Sequence, residues 1–294
     1  MFNQLGLIGC GMMGGSFALA LRRAGLVKQV VGYSRSPSTT AQAVELGVID
    51  IAAQSAPMAV VGSDIVLLAV PVAATESSLR AIAEALGPGV LVMDVGSTKG
   101  DVVDTVRRVL KERCGGFVPA HPIAGSERAG VAHADAALFD QRRVILTPIA
   151  QTLPEMLLLA DKLWQALGAQ VLQMTPEDHD AAFAAVSHLP HLVAFAYISA
   201  IAGQPAGRDF LSLAGSGFRD FSRIAASDPA MWRDVLLANR AEVMRQAKLF
   251  RSSFDEFMHA MLSGDGPTLE ALISKASVVR HDWQIGGSGQ GTGR

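Results

Sequence analysis

Three polar clusters in an otherwise apolar chain hold side chains that could do chemistry, and a further stretch carries arginines. His121 closes the run GFVPAHP (116–122) and heads the stretch HPIAGSERAG (121–130). An imidazole titrates near working pH without help, so a histidine at a sheet edge can take a proton from a reacting hydroxyl. A strand-end histidine fixed by Pro122 fits the same letters. DVGSTKG (94–100) follows the apolar run VLVMDV and brings Ser97 and Lys99 to a second strand end. SHLPH (187–191) sets Ser187 and His191 four residues apart, on one face of a helix that Pro190 should kink. GFRDFSRIAASDPAMWRDVLLAN (217–239) carries Arg219, Asp220, Arg223 and Trp232. A guanidinium can hold a carboxylate by two parallel bonds. An exposed helix arginine with Asp220 three residues before it is the plainer alternative for Arg223.

Two further features look chemical and read as structural. Asp178-His179-Asp180 has the composition of a metal cluster, but Thr175 and Pro176 before it read as the cap and first position of a helix, where acids belong. The remaining ligands of a metal site are missing, so no metal is expected. Lys99 precedes Gly100 in a loop, which suits orienting that loop or touching a phosphate better than catalysis.

A glycine-rich turn supplies a binding element. Gly9-Cys10-Gly11-Met12-Met13-Gly14 follows the strand LGLIG (5–9) and opens the helix SFALALRRAG (16–25). In that context GxGxxG is a dinucleotide fingerprint. Its glycines allow a tight turn, a close approach of backbone to pyrophosphate, and close packing of helix on strand, while free N–H groups face the anion. An acid about 20 residues on would bind the ribose 2′-hydroxyl of NAD. Ser34 stands there instead, followed by Arg35, with Thr39 and Thr40 nearby. These offer hydroxyls and a planar cation to a 2′-phosphate. NADP is therefore the expected cofactor; nothing in the stretch bars a bare ribose, so NAD stays open. The cofactor candidates are Gly9, Gly11, Met12, Met13, Gly14, Ser34, Arg35 and Thr39.

The elements that must position these groups are short apolar runs alternating with helical patterns. LGLIG, QVVGYS (29–34), DIVLLAV (64–70), VLVMDV (90–95), GFVPAHP, RRVILTP and AQVLQM (169–174) read as strands. The βαβα alternation predicts a doubly wound parallel sheet with right-handed crossovers. After Thr175 only helical patterns follow. The expected division is a dinucleotide-binding domain over 1–174, a helical domain over 175–285 and a disordered Gly/Ser-rich tail over 286–294. LVAFAYISAIAG (192–203) is shorter than the ~20 residues a membrane span needs and reads as a buried core helix. At large, the spacing over 192–203 and 231–250 suits core or a dimer interface.

Composition narrows the class. Half of the 294 residues are hydrophobic, and 25 basic against 27 acidic residues leave a net charge of −2. Neither nucleic acid nor an anionic membrane is an expected partner, although a local arginine cluster could take a small anion. Cys10 and Cys114 alone make neither a zinc pattern nor a disulfide framework, and no leader precedes the first strand, so a reducing, cytoplasmic setting is expected.

The glycine turn, DVGSTKG, HPIAGSE, SHLPH and GFRDFSRIAASDPAMW, in this order, resemble the prephenate/arogenate (cyclohexadienyl) dehydrogenase family of tyrosine biosynthesis, from the first strand to about residue 282. The resemblance implies a Rossmann-like, mostly parallel sheet followed by an all-helical domain that forms a homodimer. It implies oxidative decarboxylation of a cyclohexadienol dicarboxylate to a phenol, 4-hydroxyphenylpyruvate or tyrosine, without a metal. His121 matches the family's catalytic histidine, and Ser97 the serine that hydrogen-bonds it and the substrate hydroxyl. Arg223 matches the carboxylate-binding arginine, with Arg219 and Asp220 in the same motif. Ser187 and His191 match positions lining the substrate pocket, Trp232 an aromatic pocket residue, and Ser126 and Glu127 a gate-like pair. A related 3-hydroxyacid or imine reductase shares the plan; HPIAGSE and SHLPH argue against it. A sensor of NADP would need only the first domain and gives no reason for Ser97, His121 and Arg223 together.

Overall fold

The computed structural model describes residues 1–124 and 129–283; Ser126, Glu127 and the tail 286–294 lie outside them. Six strands form one sheet: β1 (Phe2–Ile8), β2 (Val27–Tyr33), β3 (Ile51–Ala52), β4 (Ile65–Leu68), β5 (Leu91–Asp94) and β6 (Phe117–Val118). Their spatial order is β3-β2-β1-β4-β5-β6, and every pairing is parallel. Helices α1 (Met12–Arg23), α2 (Pro37–Glu45), α3 (Ala56–Val60), α4 (Thr75–Ile82) and α5 (Gly100–Leu110) connect them. Continuous apolar runs form these strands because both faces are covered. Leu5, Leu7, Ile65 and Leu67 pack on one side with Phe17 and Leu21, while Ile8, Val66 and Leu68 pack on the other with Leu79 and Val106. The order reverses between β1 and β4, and ligands of such sheets bind at the C-terminal edge beside that point.

A second sheet holds β7 (Ala120–Pro122), β8 (Arg143–Leu146) and β9 (Gln170–Gln173). β7 runs antiparallel to β8, and β8 parallel to β9. Pro119 has no N–H to give a ladder and stands where the chain leaves β6 for β7. Helix α6 (Pro154–Ala166) precedes β9; its Trp164 packs on Phe17 and Phe139, with ring centroids 5.0 and 5.1 Å away.

Beyond Gln173 the described elements are helical: α7 (Pro176–Phe183), α8 (Leu189–Ala202), α9 (Gly207–Ser212), α10 (Ser216–Ser222), α11 (Pro229–Ala238), α12 (Arg240–Ser263) and α13 (Gly266–Asp282). The chain forms two compact units, divided between Val243 and Met244. In the first, α7 lies against α5 and α11 against the turn Val72–Ala74. In the second, the remainder of α12 meets α13 at a turn where Gly264 has φ +66° and Asp265 caps α13 by accepting from the Thr268 N–H at 3.0 Å.

Helix α7 continues into α8 through a π-turn, Ala184–His188. Pro190 brings no N–H to the ladder, and the wider turn before it accommodates the loss. The buried core helix expected over 192–203 is not found in the single chain. Within α8 only Ala194 is buried, and Tyr197 is 44% exposed. The run is apolar around its whole circumference, so its pattern points to no single face, and the chain covers only part of it. The helical run 176–202 is the one described helix long and apolar enough to cross a membrane. It also holds Asp180 and three histidines, each engaged by a hydrogen bond within the protein.

Candidate active site

The glycine turn sits at the reversal point of the sheet. Gly9 has φ +99°, and a side chain there would strike the Ala69 carbonyl beyond the end of β4. A Cβ on Gly14 would run into the Gly9 carbonyl and come within 2.9 Å of Leu7. These two positions need glycine for packing; Gly11 does not, since a Cβ there meets nothing within 4 Å. Helix α1 starts at Met12, earlier than its apolar pattern suggests, with no side chain capping its N-terminus. An open backbone face beside uncapped N–H groups fits a pyrophosphate. Ser34 has a structural task too, since its Oγ accepts from the Cys10 N–H at 2.8 Å and ties the turn to β2. Arg35 is exposed and makes no hydrogen bond or ion pair among the described residues. Thr39 lies in the first turn of α2, whose N-terminus also lacks a side-chain cap. Residues 33–40 contain no acid. The donor set therefore fits a dinucleotide, with an exposed cation, Arg35, just beyond the end of β2.

At the same edge, His121 on β7 is the end of a chain of contacts. Its Nδ1 lies 2.8 Å from His179 Nε2, and His179 Nδ1 lies 2.8 Å from Asp180 Oδ1. Asp180 Oδ1 also accepts from the Lys99 N–H at 2.9 Å, and Oδ2 from the Gly100 N–H at 2.8 Å. Phe183 packs on both imidazoles, with centroids 4.5 Å from His179 and 4.7 Å from His121. His121 Nε2 has no hydrogen-bond partner among the described residues. Burial, with His179, Lys99 and His188 close by, holds the His121 pKa well below its ordinary value, so the ring is neutral at neutral pH. Burial also lowers His179, against the pull of Asp180. Burial would raise Asp180, but the hydrogen bonds from His179, Gly100 and Lys99 outweigh it and keep the carboxyl low.

Ser97 lies partly exposed in the loop between β5 and α5. That loop is held by Lys99, which is fully buried. Lys99 Nζ donates to Asp94 Oδ2 at 2.5 Å and to the Ala120 carbonyl at 2.8 Å. Asp94 further accepts from the Ala120 and Gly96 N–H groups at 3.1 and 2.8 Å. Lys99 thus joins the loop of Ser97 to the residue before His121. Of the two tasks expected for it, orienting the loop is the one it performs; a fully buried ammonium cannot reach a phosphate.

A third group gathers on the helices. His191 stacks on Trp232 at 3.5 Å with planes 20° apart, and its Nδ1 donates to the Ser187 carbonyl at 2.8 Å. So Ser187 meets His191 through its backbone. Burial first, against the opposing hydrogen bond to the Ser187 carbonyl, and the charge of Arg223 as well, keep His191 below its ordinary pKa. Arg219 is exposed and turns to its neighbour Asp220 at 3.3 Å, so Asp220 is that residue's partner. The indole N–H of Trp232 is buried without a partner. His188 accepts from Asn239 Nδ2 at 3.1 Å, and the same amide donates to the Asp180 carbonyl at 2.8 Å. Ser126 and Glu127 fall outside the described residues.

His179 and Asp180 are functional candidates that the helix-start pattern conceals in the sequence. The cap reading holds for Thr175, whose Oγ1 accepts from the Asp178 N–H at 3.0 Å. It fails for the next two residues, which are buried. A signal existed: Pro176, His179, Asp180 and Ala184 share one buried face at helical spacing, and two titratable groups on such a face need partners. No group of three His, Cys, Asp or Glu able to hold a metal occurs among the described residues.

Comparison with known proteins gives a consistent result. Residues 17–173 match the family model "Prephenate dehydrogenase, nucleotide-binding domain", and residues 175–275 match "Prephenate dehydrogenase, dimerization domain". A prephenate dehydrogenase of Bacillus subtilis is 38% identical over 81% of this chain; the match spans 64% of the Bacillus protein, so that relative is the longer one. A cyclohexadienyl dehydrogenase of Zymomonas mobilis is 32% identical over 95% of both chains. The crystal structure of prephenate dehydrogenase from A. aeolicus, in complex with hydroxyphenyl propionate and NAD+, superposes with a TM-score of 0.88, at 36% identity, over 96% of this chain and 98% of that one.

Proposed function

Because the chain belongs to the prephenate dehydrogenase family, we propose that it oxidatively decarboxylates prephenate, arogenate or both, giving 4-hydroxyphenylpyruvate or tyrosine. The observation that carries this reading is the state of His121: a neutral imidazole with Nδ1 engaged and Nε2 left for a ligand. A nicotinamide cofactor, when bound, would supply the hydride acceptor. His121 Nε2 takes the proton of the ring hydroxyl as carbonyl character develops there, and Ser97 orients that hydroxyl. Loss of carbon dioxide then aromatises the ring. Arg223 holds a substrate carboxylate, and Trp232, His191 and Ser187 form the wall on which the ring rests. Arg219, Ser126 and Glu127 are assigned to the substrate side by motif.

The turn from Gly9 to Gly14, with Met12 and Met13 opening α1, would hold the pyrophosphate, and Ser34, Arg35 and Thr39 a 2′-phosphate. NADP is the preferred partner on this reading, with NAD as a usable second. A homodimer formed through the helical domain would cover the apolar side chains that the single chain exposes, among them Tyr197, Phe221 and Leu237 in the first unit and Phe254 and Met261 in the second. We place this dimer in the cytoplasm. The test is a matrix of prephenate and arogenate against NADP and NAD, followed at the absorbance of the reduced cofactor. Turnover with at least one pair, fastest with NADP, is expected; a flat trace in all four cells refutes the assignment.

A further inference from the structure

We propose that His179 and Asp180 complete a three-member proton relay with His121, in which His179 shares the proton that His121 removes from the substrate and Asp180 is the fixed countercharge. The proposal rests on the reading of His121 as the base. It follows from the order of donors and acceptors. Asp180 already accepts two backbone N–H groups at the start of α5, so it is an acceptor-only carboxylate at a helix N-terminus. His179 Nδ1, 2.8 Å from Asp180 Oδ1, must therefore carry a hydrogen. In the neutral ring this leaves His179 Nε2 with a lone pair only. His121 Nδ1, 2.8 Å from that lone pair, must then carry its own hydrogen. One tautomer of His121 remains, with a bare Nε2.

Fixing a tautomer would need only an acceptor; the surroundings call for more. When His121 Nε2 gains a proton, the new cation lies among the Lys99 ammonium from the β5–α5 loop, His179 from α7 and His188 from the π-turn. Asp94, whose charge also reaches His179, is already paired with Lys99, and His188 is held neutral by burial, so none of these supplies an unpaired anion. Asp180 does, one ring away. Moving the Nδ1 proton of His121 to His179 Nε2 carries the charge onto the ring that touches the carboxylate. The balance is closed. The substrate O–H bond breaks and an Nε2–H bond forms on His121; the Nδ1–H bond of His121 breaks and an Nε2–H bond forms on His179. The hydride acceptor of the main reaction is the only oxidant. Asp180 remains ionised throughout, its backbone carbonyl tied to Asn239. Phe183, in contact with both rings, keeps them in place for the exchange.

His179→Gln separates the two roles, because the Gln amide can donate to Asp180 and accept from His121 Nδ1–H yet cannot take up a proton. The expected result is a fall in kcat of roughly 10–100-fold, less than the roughly 10²–10⁴-fold that loss of the positioned base itself would cost. KM for substrate and cofactor affinity should stay within about twofold, and the acid limb of the kcat profile should move to lower pH because the charge on His121 can no longer pass to a ring beside the carboxylate. His179→Ala with added imidazole is the second variant; partial rescue by imidazole, with none by an equal concentration of a non-basic azole, is expected. A Gln variant with unaltered kcat and an unmoved acid limb overturns the relay, as does an Ala variant that imidazole does not rescue. His121→Asn is run in parallel. Full activity there removes the base assignment itself, whereas an inactive His121→Asn beside an unaffected His179→Gln removes the relay alone.

Discussion

Lys99→Met tests the ion pair beneath the candidate base. Lys99 is fully buried, and the Asp94 side chain is 3% exposed. Deleting one member of a buried pair leaves the other charge uncompensated, at a cost of about 3–5 kcal/mol. Asp94 keeps the Gly96 and Ala120 N–H groups as donors, which argues for the lower end, about 3 kcal/mol. For a unit of about this size each kcal/mol moves the melting midpoint by roughly 2–4 °C, so a fall of roughly 6–12 °C is expected. The Ala120 carbonyl loses its donor in the same step, next to His121, and kcat should fall at temperatures well below the transition. Calorimetry on the parent, Lys99→Met and the double variant Asp94→Asn/Lys99→Met measures both halves. The double variant should recover part of the lost stability, because no buried anion is left unpaired. A single variant melting within about 2 °C of the parent would refute the claim that this pair holds the loop.

Arg35→Asp should lower the NADP/NAD ratio of kcat/KM by roughly 10–100-fold, since one charge-assisted bond is worth about 1.5–3 kcal/mol; an unchanged ratio would take Arg35 off the 2′-phosphate. Arg223→Ala should raise KM for the dicarboxylate by a similar roughly 10–100-fold and leave cofactor KM alone; equal loss for both would point to damage in the fold. Burial lowers His188 to about 4, below the ordinary value near ~6.5. Its folded-state pKa is depressed, so its contribution to stability is complete above about 6.5 and is lost as pH falls toward about 4, up to roughly 3 kcal/mol. The melting midpoint should fall across that window in the parent and less steeply in His188→Asn.

Much of the α/β half was legible because buried parallel strands must be apolar throughout. The runs DIVLLAV (64–70) and VLVMDV (90–95) contain β4 and β5, which are shorter than the runs at both ends. The two-residue strand β3 and the five-residue α3 are too short to show a period. The antiparallel turn of β7 onto β8 depends on a partner 22 residues or more away and leaves no local mark. On the candidate site, Gly9, Gly14 and His121 announced themselves by their position after strands. His179 and Asp180 did not, because the bonds that engage them reach from Asp180 to Gly100 and from His179 to His121, across 80 and 58 residues. A helix that begins Thr-Pro-Glu-Asp explains its acids locally, and that local explanation concealed a distant one. For α8 the opposite occurred, since an evenly apolar helix says that something covers it without saying what.

The π-turn between α7 and α8 also sets angular register. In a regular α-helix, residues nine apart, such as His179 and His188, stand about 180° from one another around the axis. One extra residue accommodated in the wide turn reduces that separation to about 80°. Asp180 and His188, eight apart, come nearly into line, and a single side-chain amide, that of Asn239, reaches both. Removing one residue from the turn would leave the helix intact in length of pattern yet rotate everything after it by about 100°, carrying His191 and its stacked Trp232 contact away from the base. The turn thus acts as a one-residue phase shift between the half of the helix that holds His179 and Asp180 and the half that holds His191.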